Sequence, residues 1–311
     1  MKDLKRLEVY LWWKCNYKCI FCVEKEKIDK YFHKKISEEE VFKILLKYKK
    51  QWYNHVTFLW GEPFIQSNFL FSLKIAKKLW YIVLVTTNWV LLPFEDKAKL
   101  YLPHIDELII SIPIIDNKLQ PIINWVTNII DFEKVFYNIW KYWNLSFFKI
   151  NTVLNKYNYN KLNSISIFLL KYKDLVDEIS ITYPELNRTA FSEKYLIEKV
   201  AWKYLDVSPF VEKELEFLKS NWVKWKIVDF PFCVFSSEKY INFTDDINFE
   251  ERKKVNNIWI EKNTWEHLYW KPRLRKNISE CENCKYNWIC WWPSIDYLKL
   301  FWESEIKAIK L

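Results

Sequence analysis

Glycine is nearly missing from this chain: one residue in 311, where about 7% is usual. A chain with one glycine has few low-cost ways to take positive φ at turns and helix ends. Tryptophan stands at 19, close to the glycine count that this length would ordinarily carry, roughly 22. Several of these tryptophans sit where glycine is expected. Trp89 follows Thr87-Asn88, Trp143 ends a helix-like run, and Trp291-Trp292 precedes Pro293. A gene in which UGA encodes glycine, translated with UGA as tryptophan, produces this pattern. The tryptophans are therefore expected to mark glycine positions, 60 and 125 among them.

Other absences narrow the function class. No stretch reaches the ~18 uncharged apolar residues of a membrane span, and no apolar run follows Met1-Lys2-Asp3-Leu4-Lys5-Arg6, so no secretory signal is expected. A reducing, cytoplasmic setting follows as the default, where clustered cysteines read as metal sites before disulfides. The net charge of +9 comes from 48 Lys and Arg scattered among 39 acids, without a run of like charges. A solvated lysine-rich surface accounts for that better than a nucleic-acid footprint. His33, His55, His104 and His267 form no ligand-spaced pair, and there is no nucleophile elbow, P-loop or dinucleotide fingerprint.

Seven cysteines are present, in two sets. Cys15, Cys19 and Cys22 follow a C-x-x-x-C-x-x-C spacing just after the apolar Val9-Tyr10-Leu11. Thiolates are soft ligands that select iron–sulfur clusters, zinc or Cu(I). Three of them leave one coordination position open, so the choices are a 4Fe–4S cluster with a free iron, a zinc knuckle, or buried thiols. Cys281-x-x-Cys284-x5-Cys290 and the isolated Cys233 make up the other four. Four thiolates close either a second 4Fe–4S cluster or a zinc site.

The chain between 6 and 183 alternates strand-like and helix-like segments. Strands are expected at 6–13, 55–59, 81–88, 107–112, 147–154 and 178–183, with helices at about 38–52, 67–79, 94–102, 131–142 and 160–172. The strands read as continuous apolar runs, which predicts an α/β fold with a parallel sheet covered by helices. Chemistry in such folds gathers at the C-terminal strand ends, here the cysteines, Glu62, Asn88, Ser111, Asn151 and Thr182. Beyond 190, two helices (Glu193 to Leu205 and Pro209 to Asn221) and a strand-like Lys226-Ile227-Val228-Asp229-Phe230 are expected.

With Cys15, Cys19 and Cys22, an aromatic Phe21 before the last cysteine, and Trp60-Gly61-Glu62-Pro63 downstream, the chain resembles the radical S-adenosylmethionine (SAM) enzymes. Trp60 departs from that superfamily's Gly-Gly-Glu-Pro at its first glycine, and Asn124-Trp125-Val126 resembles its Thr-Gly-Val. The tail resembles a SPASM or twitch auxiliary module, with Cys290-Trp291-Trp292 in place of Cys-Gly-Gly. The resemblance implies a partial (β/α)6 TIM-like barrel over 1–215 and a small cysteine-rich auxiliary domain over 216–311. It implies a 4Fe–4S cluster on Cys15, Cys19 and Cys22 with SAM on the free iron, and a second cluster on Cys233, Cys281, Cys284 and Cys290. SAM would meet Trp60, Gly61, Glu62 (accepting from its amino group), Asn88, Ser111 and Asn151. The activity implied is reductive cleavage of SAM to a 5′-deoxyadenosyl radical that takes hydrogen from a peptide, protein or small-molecule substrate, in modification or cofactor maturation. An electron donor such as flavodoxin or ferredoxin is implied as well. Arg188 and Tyr183 follow the sixth strand, where substrate would enter. RNA modification, suggested by the basic balance, and a zinc-stabilised binding module are the alternatives.

Overall fold

The computed structural model describes residues 5–126, 129–142, 146–186, 191–221, 223–243, 258–260, 275–287, 290 and 292–310. Trp143, Arg188 and Trp291 lie outside the described residues. The frame is one parallel sheet of eight strands: β1 (Arg6–Val9), β2 (His55–Phe58), β3 (Ile82–Thr87), β4 (Glu107–Ser111), β5 (Phe147–Val153), β6 (Glu178–Thr182), β7 (Trp225–Val228) and β8 (Ile258–Ile260). Their order is β7-β6-β5-β4-β3-β2-β1-β8, so β7 and β8 are the two edges and the sheet stays open. The six expected strands lie side by side in chain order, which is the partial barrel anticipated from sequence. One strand is added at each edge: β7 matches the strand-like run near 226, whereas no sequence signal marked β8.

Parallel neighbours need crossovers, and helices supply them. These are α1 (Lys25–Tyr31), α2 (Glu38–Lys49), α3 (Phe69–Lys78), α4 (Glu95–Tyr101), α5 (Gln120–Asn124), α6 (Phe132–Tyr142), α7 (Leu162–Leu170), α8 (Glu193–Tyr195) and α9 (Tyr204–Ser220), while α10 (Ser279–Glu282) and α11 (Ile295–Phe301) follow the last strand. Their starts follow local chemistry. Ser37 caps α2 with its hydroxyl on the Glu40 amide, while the Glu40 carboxylate takes the Ser37 amide at 2.7 Å. That reciprocal pair satisfies two donors the helix leaves open. Val41, Ile44, Leu45 and Tyr48 then form its buried stripe.

Burial is continuous along β2 and nearly so along β6, whereas β1, β4 and β5 correct the reading as continuous apolar runs. Burial alternates along β1, β4 and β5. Leu7, Val9, Leu108, Ile110, Phe148 and Ile150 are fully buried and lie on one face of the pleat, with Arg6, Glu8, Glu107 and Lys149 on the other. Among the described residues, that second face also carries paired charges. Buried Glu178 holds Lys149 at 2.9 Å and Lys226 at 3.4 Å there.

Past β6 the boundaries also differ from expectation. Leu196–Val200 continues α8 as a π-helical turn, and α9 runs through Pro209 without a break. Pro209 removes one main-chain bond in the second turn, but the stripe Val207, Val211, Leu215 and Leu218 stays buried across it. The boundary expected between 215 and 216 falls inside α9, and strands on both sides of it share the one sheet. No helix among the described residues is long and apolar enough to cross a membrane.

Candidate active site

The loop after β1 carries Cys15, Cys19 and Cys22 and is pinned from two sides. Its main chain bonds to the end of α5, Lys18 N to Asn124 O at 3.1 Å and Ile20 N to Ile123 O at 3.0 Å. On the other side Glu62 N donates to Lys14 O at 2.9 Å. This close approach fixes the residue before it. Gly61 has φ of 59°, and a Cβ there would lie 2.3 Å from the Lys14 carbonyl oxygen. Only glycine fits, because a side chain would drive the strand end off the cysteine loop.

All three thiols face one cavity of about 330 Å³ at the C-terminal ends of the strands. Its walls include Trp60 and Gly61 after β2, Asn88 after β3, Ser111 ending β4, and Asn151 and Thr182 on β5 and β6. The residues picked from sequence at strand ends therefore converge, with one exception. Glu62 is fully buried and stands behind the wall, not on it. Its Oε1 accepts from Phe64 N at 3.0 Å and Thr87 Oγ1 at 2.6 Å, and its Oε2 accepts from Asn88 N at 2.7 Å. Burial pushes its carboxyl up to about 7, against the pull of those three bonds.

The wall residues are themselves held. Asn88 Nδ2 donates to Asn16 Oδ1 at 3.0 Å and lies 3.8 Å from Cys15 Sγ. Ser111 O accepts from the Trp89 indole at 2.6 Å, and Asn151 Oδ1 accepts from Thr182 Oγ1 at 2.8 Å. Sequence reasoning passed over five polar lining groups: Tyr17, Thr86, Thr87, Glu185 and Asp229. The strand-end rule could have found Asp229, since it directly follows β7. Asn124, noted only as part of a motif, lines the cavity too and sits 3.8 Å from Cys19 Sγ.

These residues fit an iron–sulfur group. Burial pushes Cys15 up to about 12 and Cys22 up to about 11, and raises Cys19 well above an ordinary thiol. Such thiols become thiolates only against a bound cationic centre, which deprotonates its ligands outright. Among the described residues, no three His, Cys, Asp or Glu side chains are gathered for a single metal ion. One zinc would draw its sulfurs to about 2.3 Å from a common point, whereas a cluster spreads its cysteines over separate irons.

The other four cysteines meet in a second pocket. Cys233, Cys281, Cys284 and Cys290 line it together with Phe232, Trp292 and Ile306, and its free volume is only about 10 Å³. A short turn (Phe232–Val234) presents Cys233, α10 presents Cys281, and Cys284 N bonds to Cys281 O at 3.1 Å. The two pockets are joined through an ion pair. Arg275 holds Asp229, on the first cavity's wall, at 2.7 Å and donates to the main-chain oxygen of Trp292, on the second, at 2.9 Å.

Comparison with known proteins agrees with this geometry. Residues 12–154 match the family described as the Radical SAM superfamily. An S-adenosylmethionine-dependent nucleotide dehydratase of Lacinutrix mariniflava is 30% identical over 185 residues, 56% of this chain and 37% of that protein. The chain thus spans little more than a third of the length of that curated relative. SuiB of Streptococcus suis, solved with its precursor peptide SuiA, superposes with a TM-score of 0.67 at 17% identity, covering 96% of this chain and 73% of its own. A radical SAM methyltransferase of Sphaerobacter thermophilus gives a TM-score of 0.52 at 11% identity, covering 74% and 67%. At those identities the two structures speak for the fold. Motif, cavity and family match agree over one stretch: residues 12–154 carry a radical SAM domain.

Proposed function

We propose that this chain cleaves SAM reductively and takes a hydrogen atom from a peptide or protein substrate. The superfamily implies a 4Fe–4S cluster and SAM, and Cys15, Cys19 and Cys22 would hold that cluster. When bound, the pair supplies one electron to the sulfonium and a 5′-deoxyadenosyl radical from the broken C–S bond. The chain's own residues bind, orient and shield. Gly61 lets the β2 end lie against the cysteine loop, and Asn88, Ser111 and Asn151 offer polar groups to SAM from three strand ends. Glu62 acts from behind by fixing the Asn88 main chain. The observation that carries the reading is the convergence of three buried thiols and these strand-end groups on one cavity.

The segment that carries Cys233, Cys281, Cys284 and Cys290 would hold a second cluster on those four thiols. Four thiolates leave no open iron, so the role is electron transfer or structure. The dehydratase relative raises a nucleotide substrate as the second reading. Against it, the described cavity wall holds no Lys, Arg or His, and holds Glu185 and Asp229 instead. Nucleotide phosphates call for cationic partners or helix N-termini, whereas peptide main chain is met by neutral polar groups such as Asn124 and Thr182 on the same wall.

The test is anaerobic reconstitution followed by iron, sulfide and zinc analysis. About seven or eight irons per chain, with 5′-deoxyadenosine formed from SAM and dithionite, supports the reading. Zinc without SAM cleavage ends it.

A further inference from the structure

The backbone separates the tryptophans into two kinds. Among the described residues, seven non-glycine positions have φ in the left-handed region, and six are tryptophan: Trp52, Trp60, Trp80, Trp89, Trp125 and Trp302. Their φ values run from 52° to 68°. Positive φ away from glycine belongs mainly to Asn, Asp and His, and a bulky residue there is an outlier. Six bulky outliers of one residue type are not an accident of packing.

The local motifs point the same way. After α2, Trp52 N bonds to Lys49 O at 3.0 Å and Tyr53 N to Tyr48 O at 3.1 Å. After α3, Trp80 N bonds to Lys77 O at 3.0 Å and Tyr81 N to Ala76 O at 3.1 Å. Both pairs are the two hydrogen bonds of a Schellman motif, whose left-handed residue is usually glycine. Trp125 ends α5 at φ 52°, ψ 57°. Trp302 ends α11 at φ 65°, ψ −176°, in a region open essentially to glycine alone. Nor do the rings repay the strain: Trp52, Trp80, Trp125 and Trp302 are 83%, 85%, 63% and 76% exposed. The other two flank the active site. Trp60 lines the cavity beside Gly61, and Trp89 follows Asn88.

We propose that the working protein carries glycine at 52, 60, 80, 89, 125 and 302, the codon at each being read as glycine in the cell that makes it. At 60 the consequence is chemical. Glycine there removes an indole from the cavity wall, leaving two consecutive glycines where β2 meets the cysteine loop. SAM then has main chain to lie against and a larger chamber.

Two measurements test this without depending on catalysis. In the recombinant chain as written, Trp52→Gly, Trp80→Gly and Trp302→Gly are each made singly and unfolded in urea. Relief of a left-handed non-glycine residue is expected to favour the folded state about five- to thirtyfold per position. Trp225→Gly, which empties a buried site within β7 at ordinary φ, is expected to lose stability and guards against a general effect of losing Trp. If all three exposed variants are neutral or less stable, the backbone tolerates tryptophan and the proposal fails. The second measurement is peptide mass spectrometry of the protein from its own cells. Glycine at the six positions supports the proposal, and tryptophan at 60, 89 or 125 overturns it.

Discussion

The Glu62 carboxylate holds the main chain of Asn88: Oε2 accepts the Asn88 amide at 2.7 Å across 26 residues of sequence. With Oε1 on the Thr87 hydroxyl at 2.6 Å, one buried side chain joins the ends of β2 and β3 at the cavity wall. Its job in the folded chain is to position a neighbour.

Glu62→Gln should expose that role. The amide can accept on one side only, so a buried donor at Phe64, Thr87 or Asn88 is left unmet, at about 1–3 kcal/mol. Urea unfolding is expected to show that loss in the metal-free protein. Thr87→Val deletes one of those donors and also the acceptor of the Trp89 amide at 2.8 Å, so it should cost a comparable amount. Full stability in Glu62→Gln would show that the three bonds contribute nothing.

The two cysteine sets should separate in iron content. Cys19→Ala is expected to lose about four irons and all 5′-deoxyadenosine formation. Cys284→Ser should lose a similar amount of iron yet still cleave SAM when reduced directly by dithionite. SAM cleavage retained in Cys19→Ala would refute the assignment of the first set.

Glu178 is buried among Lys149, Lys226 and Lys224, at 2.9, 3.4 and 3.7 Å. Glu178→Ala leaves the largely buried Lys149 without its counter-ion, and breaking such a pair costs about 3–5 kcal/mol. A denaturation midpoint equal to wild type would mean that Lys149 turns out to solvent without penalty.

Acid stability should reveal two opposed groups on β1 and β2. Burial, then Arg6, holds His55 down to about 4, from 6.5. The unfolded chain therefore binds this proton first, and stability is lost as pH falls from 6.5 to 4. Burial holds Glu8 up to about 7, from 4.5, so the folded chain keeps a proton that the unfolded chain releases. That contribution is present below 4.5 and is lost as pH rises to 7. The slopes cancel in part in the parent chain. Relative to it, Glu8→Gln should gain stability more steeply as pH rises from 4.5 to 6.5, and His55→Asn should slope the other way. Unfolding curves at four pH values decide this, and parallel profiles for all three proteins would refute it.

Much of the site could be read without coordinates, because cluster chemistry is written in contiguous residues. The spacing of Cys15, Cys19 and Cys22 and the Gly61-Glu62-Pro63 run are local, and the strand-end rule places Asn88, Ser111 and Asn151 once six strands are recognised. The scarcity of glycine was likewise visible as composition. Tertiary structure decided which groups face the cavity and which stand behind it. Glu62 carries its three bonds because β2 and β3 are neighbours, and Asp229 joins the wall because β7 extends the sheet beyond β6. The charge cluster of Glu178, Lys149 and Lys226 was also a tertiary matter, since it needs β5, β6 and β7 side by side. Positive φ at Trp60 and five other tryptophans is likewise a property of the folded backbone, where helix ends and close approaches demand a residue without a side chain.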